Sequence, residues 1–219
     1  MQKSNQYDGK EKRLTLSNLC ASFSLCIFVL TFAIVLTLFF RPIYHLYIDA
    51  TKLPMQLDME REEIVENYDV LIDYNVVFHR EPLDFPSLKS SESGRIHFAD
   101  VKKIFDACQI AMLGSFLVAL IFFTVKIRRG ERYFLRLAGG LSLALPIGLA
   151  IVFLVIGWDR VFVLFHKIMF SNDYWMFDAN TDPVIRILPD GFFLLCAIII
   201  VALIFLMAIL LIFFSRKKN

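Results

Sequence analysis

Four long apolar stretches set the pattern of the chain, at about Leu19–Phe40, Ala107–Ile127, Phe134–Gly157 and Gly191–Phe214. Each is long enough to cross about 30 Å of hydrocarbon, which takes roughly 20 residues. The first is longer than a signal-peptide core and has no small-x-small cleavage pattern at its end, so it is expected to be a retained anchor. Two long polar stretches, residues 41–106 and 158–190, and one short basic connection separate the spans. In the second, Trp158, Val161, Phe162, Phe165, Met169 and Phe170 recur at helical spacing and predict an amphipathic helix. Asp182-Pro183 is a helix-start signal, a carboxylate N-cap followed by proline at the first helical position. This stretch is therefore expected to form two short helices lying on a membrane surface.

The first polar stretch is too long to be a structureless loop. From Asp58, residues Ile64, Tyr68, Leu71, Ile72 and Asn75 fall on one helical face, with Glu60, Glu62, Glu63 and Glu66 towards the end where the helix dipole favours acids. Arg41-Pro42 is expected to mark the outer end of the first span. An irregular passage carrying Pro82, Pro86 and several serines follows, and then His97–Lys102 opens a helix expected to run unbroken into the second span. At about 1.5 Å per residue, His97 would sit roughly 15 Å above the apolar stretch, near the headgroup layer. The expected fold is an all-α membrane protein: one membrane domain over residues 1–219, with four transmembrane helices and a roof of short amphipathic helices on the extracytoplasmic side.

Charge gives the orientation. Lys3, Lys10, Lys12 and Arg13 lie in the N-terminal tail, Lys126, Arg128, Arg129 and Arg132 between the second and third spans, and Arg216, Lys217 and Lys218 at the C-terminus. The positive-inside rule puts these on the cytoplasmic side, with both termini. Residues 41–106 carry 8 basic against 13 acidic side chains, about −5, and residues 158–190 are also net acidic. The overall charge of +2 thus conceals a split, and no nucleic-acid partner is expected. The 4 Cys lie in or at the ends of spans, so no disulfide is expected to staple the external segments. No span has an ionisable residue at its middle, which argues against ion-coupled transport. Gly139, Gly140, Pro146 and Gly148 in the third span are read as helix packing and a tolerated kink.

Chemistry is concentrated in His97 and His166. Asp100 lies near the first, and Asp159, Asp173, Asp178 and Asp182 lie around the second. A carboxylate can fix the tautomer of an imidazole, and two imidazoles at one membrane face can act as an acid–base pair. Zinc is the rival reading, weakened by the absence of HExxH or any other short-spaced ligand pair. The serines at 87, 90, 91 and 93 have no GxSxG context and read as loop residues. Trp175 suits an interfacial belt, and an Asp–Arg pair involving Arg186 can simply hold two short helices together.

HFADVK at His97–Lys102, FHKIMF at Phe165–Phe170, NDYWMFDANTDPVIRILPDGFF at Asn172–Phe193 and LIDYN at Leu71–Asn75 together resemble the lipoprotein intramolecular transacylase family of bacterial membrane proteins. Met169 stands where a second Phe is expected, and His45 and His79 match no family position. The resemblance implies that the sn-2 acyl chain of a diacylglyceryl-cysteine lipoprotein moves from its ester oxygen to the cysteine α-amine. It places the enzyme in low-GC Gram-positive bacteria, with His97 and His166 catalytic. Tyr74, Asp100, Trp175, Asp178, Asp182 and Arg186 are expected to support them, with Arg186, Tyr74 or the Trp175 indole as oxyanion partner. Ester to amide is downhill, so neither ATP nor an acyl carrier is expected, and no cofactor or metal is assigned. The partners are the lipoprotein substrate and membrane lipid, met by a monomer. Pattern and charge by themselves also allow a membrane hydrolase using water as acceptor, or a non-enzymatic envelope scaffold.

Overall fold

The computed structural model describes residues 14–216. The basic residues Lys3, Lys10, Lys12, Arg13, Lys217 and Lys218 lie outside that range. Among the described residues all regular structure is helical, in the order α1 (Leu16–Phe39), α2 (Pro42–Thr51), α3 (Leu53–Leu57), α4 (Arg61–Tyr74), α5 (Glu92–Arg128), α6 (Tyr133–Ile156), α7 (Trp158–Met169), α8 (Val184–Ile187) and α9 (Asp190–Ser215). Four of these, α1, α5, α6 and α9, are long and apolar enough to cross a membrane. The chain divides into two compact units, Met1–Ala33 with Ile110–Ile151 and Val201–Asn219, and Ile34–Gln109 with Val152–Ile200.

In the first unit, small and polar groups let helices approach. Ser22 is fully buried and its hydroxyl donates to the Phe134 carbonyl at 3.0 Å. A Cβ at Gly139 would lie 2.8 Å from the Ala208 carbonyl oxygen, so α6 and α9 meet through backbone there. Of the expected packing glycines, Gly139 alone has such a neighbour; Gly140 and Gly148 face open space. Pro146 lies inside α6 as expected.

The second unit has its own aromatic core. The rings of Tyr44 and Tyr68 stack with centroids 3.7 Å apart, and Phe192 meets Tyr44 edge-on. Ile48, Ile64, Leu71, Ile72, Val184 and Ile187 complete it. The face expected of α4 is the buried one: Ile64, Tyr68, Leu71, Ile72 and Asn75 all point inward. No helix is expected from the sequence directly after Pro42, yet α2 forms there. Proline there does not merely end the first span, since it also starts α2 at a position where its missing N–H costs nothing. Tyr44 and Ile48, both fully buried, lie on α2. Beyond α4, Lys102 donates to the Val76 carbonyl at 2.9 Å, and Gln109 bonds Asn75 and Val77, fastening this turn to α5.

The helix expected at His97 begins at Glu92 and continues to Arg128 without a break. Its apolar stretch starts near Ala107, ten residues after His97.

Candidate active site

His97 is positioned by the way α5 begins. Ser91 caps the helix, its hydroxyl accepting the Gly94 N–H at 2.9 Å. The Ser91 N–H in turn donates to Asp182 Oδ1 at 2.7 Å. Asp182 is buried, and its other oxygen accepts the Thr181 hydroxyl. This corrects the expected N-cap. The residue flanking α8 is Pro183, with no side-chain cap, and α8 is a single turn. Asp182 is turned away from α8 and holds the start of α5 instead. A Cβ at Gly94 would fall 2.2 Å from Asp182 Oδ1 and 3.2 Å from the Phe177 ring, so only glycine permits this closeness.

His166 comes from α7. Gly157, at φ +79°, turns the chain out of α6, a conformation that disfavours any side chain. The helix is strongly amphipathic, and none of its residues is fully buried. Phe165 and Ile168 are exposed, while Phe170, just beyond the helix, is buried.

The two imidazoles meet. Their ring centroids are 6.2 Å apart. Phe170 touches both, at 4.8 Å from His97 and 5.7 Å from His166. Phe177 meets His97 edge-on at 5.3 Å, and Trp175 lies 4.9 Å from His166. The pair therefore sits in an aromatic enclosure; His97 is only 5% exposed.

Each nitrogen has a distinct setting. His166 Nδ1 is 2.7 Å from the Phe162 carbonyl oxygen, an acceptor, so Nδ1 carries the proton and Nε2 keeps its lone pair. His97 Nδ1 is buried with no hydrogen-bond partner among the described residues. Burial pushes His97 down to about 4, with His166 adding to the shift and Asp100 opposing it. Burial also lowers His166, partly offset by the Phe162 carbonyl and Asp190. Both shifts favour the neutral form of the ring.

The expected carboxylate partners are elsewhere. Asp100 is paired with Lys103 at 2.8 Å and accepts from Asn172 at 3.3 Å, and it reaches His97 only through its field. Asp178 organises a turn with Asn180 and Thr181. The carboxylate acting on His166 is Asp190 rather than Asp159, Asp173, Asp178 or Asp182. Tyr74 packs against His79 and beneath Lys102, not against the histidine pair. Arg186 is exposed on α8. Of the residues expected to support the pair, Trp175 lies directly against a histidine, and its buried indole N–H has no hydrogen-bond partner among the described residues. Sequence reasoning missed Phe162, Phe177 and Asn172 as site residues. The i−4 spacing of Phe162 and His166 on a helix was the available signal for the first. Among the described residues, no three His, Cys, Asp or Glu side chains gather as a metal site requires.

Comparison with known proteins gives this geometry a family. The family model described as lipoprotein intramolecular transacylase Lit matches residues 19–193. Among curated proteins none matches. A solved structure of the membrane-integral lipoprotein intramolecular transacylase Lit from Bacillus cereus is 36% identical, covers 92% of this chain and 93% of its own, and superposes with a TM-score of 0.88. Two further structures of the Bacillus cereus protein, each with one histidine replaced, by arginine or by alanine, are 34% identical with TM-scores of 0.83 and 0.84. They cover 96% of this chain and 92% and 94% of their own. The chain belongs to the lipoprotein intramolecular transacylase family and is a membrane-integral acyltransferase.

Proposed function

We propose that the enzyme moves the sn-2 acyl chain of a diacylglyceryl-cysteine lipoprotein from glycerol oxygen to the cysteine α-amine, with His97 and His166 as the catalytic residues. The meeting of these two imidazoles, from segments 69 residues apart in sequence, is the observation that carries the reading. Donor ester and acceptor amine belong to one molecule, so holding them in contact supplies much of the rate, and no acyl-enzyme is needed.

The settings of the two rings favour different roles. His166 is held as the Nδ1–H tautomer by its helix carbonyl, which leaves Nε2 as the base. The neutral amine attacks the ester carbon, and His166 Nε2 takes the proton that the nitrogen sheds. The resulting imidazolium then delivers that proton to the departing glycerol oxygen, leaving an amide and a free hydroxyl. His97, the less basic ring, carries its proton on the less enclosed Nε2 and donates a hydrogen bond to the developing oxyanion. The Trp175 N–H is a second donor suited to the same charge. Of the expected supporting residues, Asp182 and Asp100 fill that role, by virtue of Ser91 and Asn172; Tyr74, Asp178 and Arg186, engaged elsewhere or exposed, are given no part in the reaction.

Lys126, Arg128, Arg129 and Arg132 bracket the α5–α6 turn, which supports a cytoplasmic location for that turn and for both termini, and an extracytoplasmic location for the histidines. The exposed apolar residues of α7 suit the outer lipid interface, where the acyl chains of the substrate lie. A monomer suffices, since both histidines come from one chain.

The test is mass spectrometry of the N-terminal lipopeptide from cells that make only the diacylglyceryl form. The intact enzyme should leave total mass unchanged and relocate one acyl group to nitrogen. His97→Ala and His166→Ala should each reduce N-acylation at least ~100-fold while remaining in the membrane. Loss of one acyl mass would make the enzyme a hydrolase, and substantial transfer by either variant would refute the assignment.

A further inference from the structure

The first unit contains a basic cavity of its own. A cavity of about 570 Å³ opens between the start of α1, the end of α5 and the turn into α6. Three cations line it: Lys126, Arg129 and Arg132. Lys126 is almost fully buried, its ammonium held by Asn18 Oδ1 at 2.7 Å and Glu131 Oε2 at 3.0 Å. Arg132 gives one N–H to the Phe214 carbonyl at 3.0 Å, a contact that leaves its charge unneutralised. Arg129 has no ionic partner among the described residues. Among the described residues one carboxylate, Glu131, thus faces three cations, an excess of two positive charges. Thr15 and Ser17, at the electropositive first turn of α1, add hydroxyls to the same wall. Ile121, Phe122 and Val125 continue the lining along α5 as an apolar strip.

From this we infer that the cavity binds the phosphate headgroup of an anionic glycerophospholipid, with an acyl chain lying along the apolar strip. Basic pockets between membrane helices recognise lipid headgroups by this combination of charge and depth. A free phosphate ion would satisfy the cations but would leave the apolar strip uncovered. The bound lipid ties α1 to the α5–α6 turn by bridging groups from both.

The experiment uses the purified full chain in phosphatidylcholine nanodiscs, with phosphatidylglycerol, additional phosphatidylcholine or inorganic phosphate supplied in turn. Retained lipid is read by native mass spectrometry and stability by thermal unfolding. Phosphatidylglycerol should be retained at one molecule per chain and raise the unfolding temperature, and phosphatidylcholine should do neither. Arg129→Gln should weaken phosphatidylglycerol retention about fivefold, and Arg129→Lys should largely restore it, because one surface cation contributes about that factor. Equal retention of the two lipids, or unchanged retention in Arg129→Gln, overturns the proposal. An equal thermal shift with inorganic phosphate alone overturns the lipid in favour of a free anion.

Discussion

The carboxylate of Asp182 accepts the backbone N–H of Ser91 across 91 positions of sequence, at 2.7 Å. That bond joins the segment after α7 to the start of α5, six residues before His97. Gly94 is the residue that allows it. In an ordinary exposed helix, Gly→Ala gains about 1 kcal/mol of propensity. Here the new methyl would overlap Asp182 and press on Phe177. Gly94→Ala is therefore expected to destabilise the protein by about 1–3 kcal/mol and to reduce transfer. Thermal unfolding in detergent and the lipopeptide assay check this; a variant more stable than wild type and fully active would show that the contact is unimportant.

Phe170 is the side chain shared by both imidazoles, and its burial keeps water from His97. In Phe170→Ala the His97 pKa should rise from about 4 towards 6.5, because desolvation is the main cause of its depression. Titration of the histidine resonances by NMR reads it directly. A wild-type His97 titrating at 6.5 or above would contradict the enclosure.

The same depression has a stability consequence with a definite sign. The folded His97 holds its proton less tightly than the unfolded chain does. Acidification from pH 7 is therefore expected to destabilise the fold, beginning near 6.5 and levelling off near 4. His97→Gln removes this contribution, so unfolding temperatures of wild type and variant should diverge with pH across that window, the variant falling less. Parallel curves would show that the ring is not shielded when folded.

Tyr44 is fully buried, and its hydroxyl donates to the Ile187 carbonyl at 2.7 Å. Tyr44→Phe keeps the stack on Tyr68 but leaves that carbonyl without its donor. A loss of about 1–3 kcal/mol is expected, read by thermal unfolding, with the lipopeptide assay reporting any effect on transfer. No loss would indicate that solvent reaches Ile187.

The parts of the fold legible in the sequence were those governed by composition and period. Spans need only length and apolarity, and the α4 face follows from its repeat. The helix carrying His97 was legible as a continuation of the second span. What was not legible depends on competition between neighbours. Asp100 looked like a partner for His97, but Lys103, one turn further along α5, claims it. Asp182 matched a helix-start pattern, but the Ser91 N–H, distant in sequence, holds it more directly than a one-turn helix can. Trp175 and Phe177 lie in a stretch without regular structure, where no period indicates which way a ring turns.

The hydrogen bond from His166 to Phe162 lies wholly within one turn of α7. The protonation pattern of this ring is therefore portable. It travels with the helix, and substitutions elsewhere in the chain leave it in place as long as α7 stays wound. His97 has no such private arrangement: its weak basicity depends on Phe170, Phe177 and His166, all supplied by the chain beyond α6. Sequence drift in that region should therefore alter His97 before His166. Graded loss of transfer, with the His166 tautomer intact, is the pattern to look for in divergent relatives.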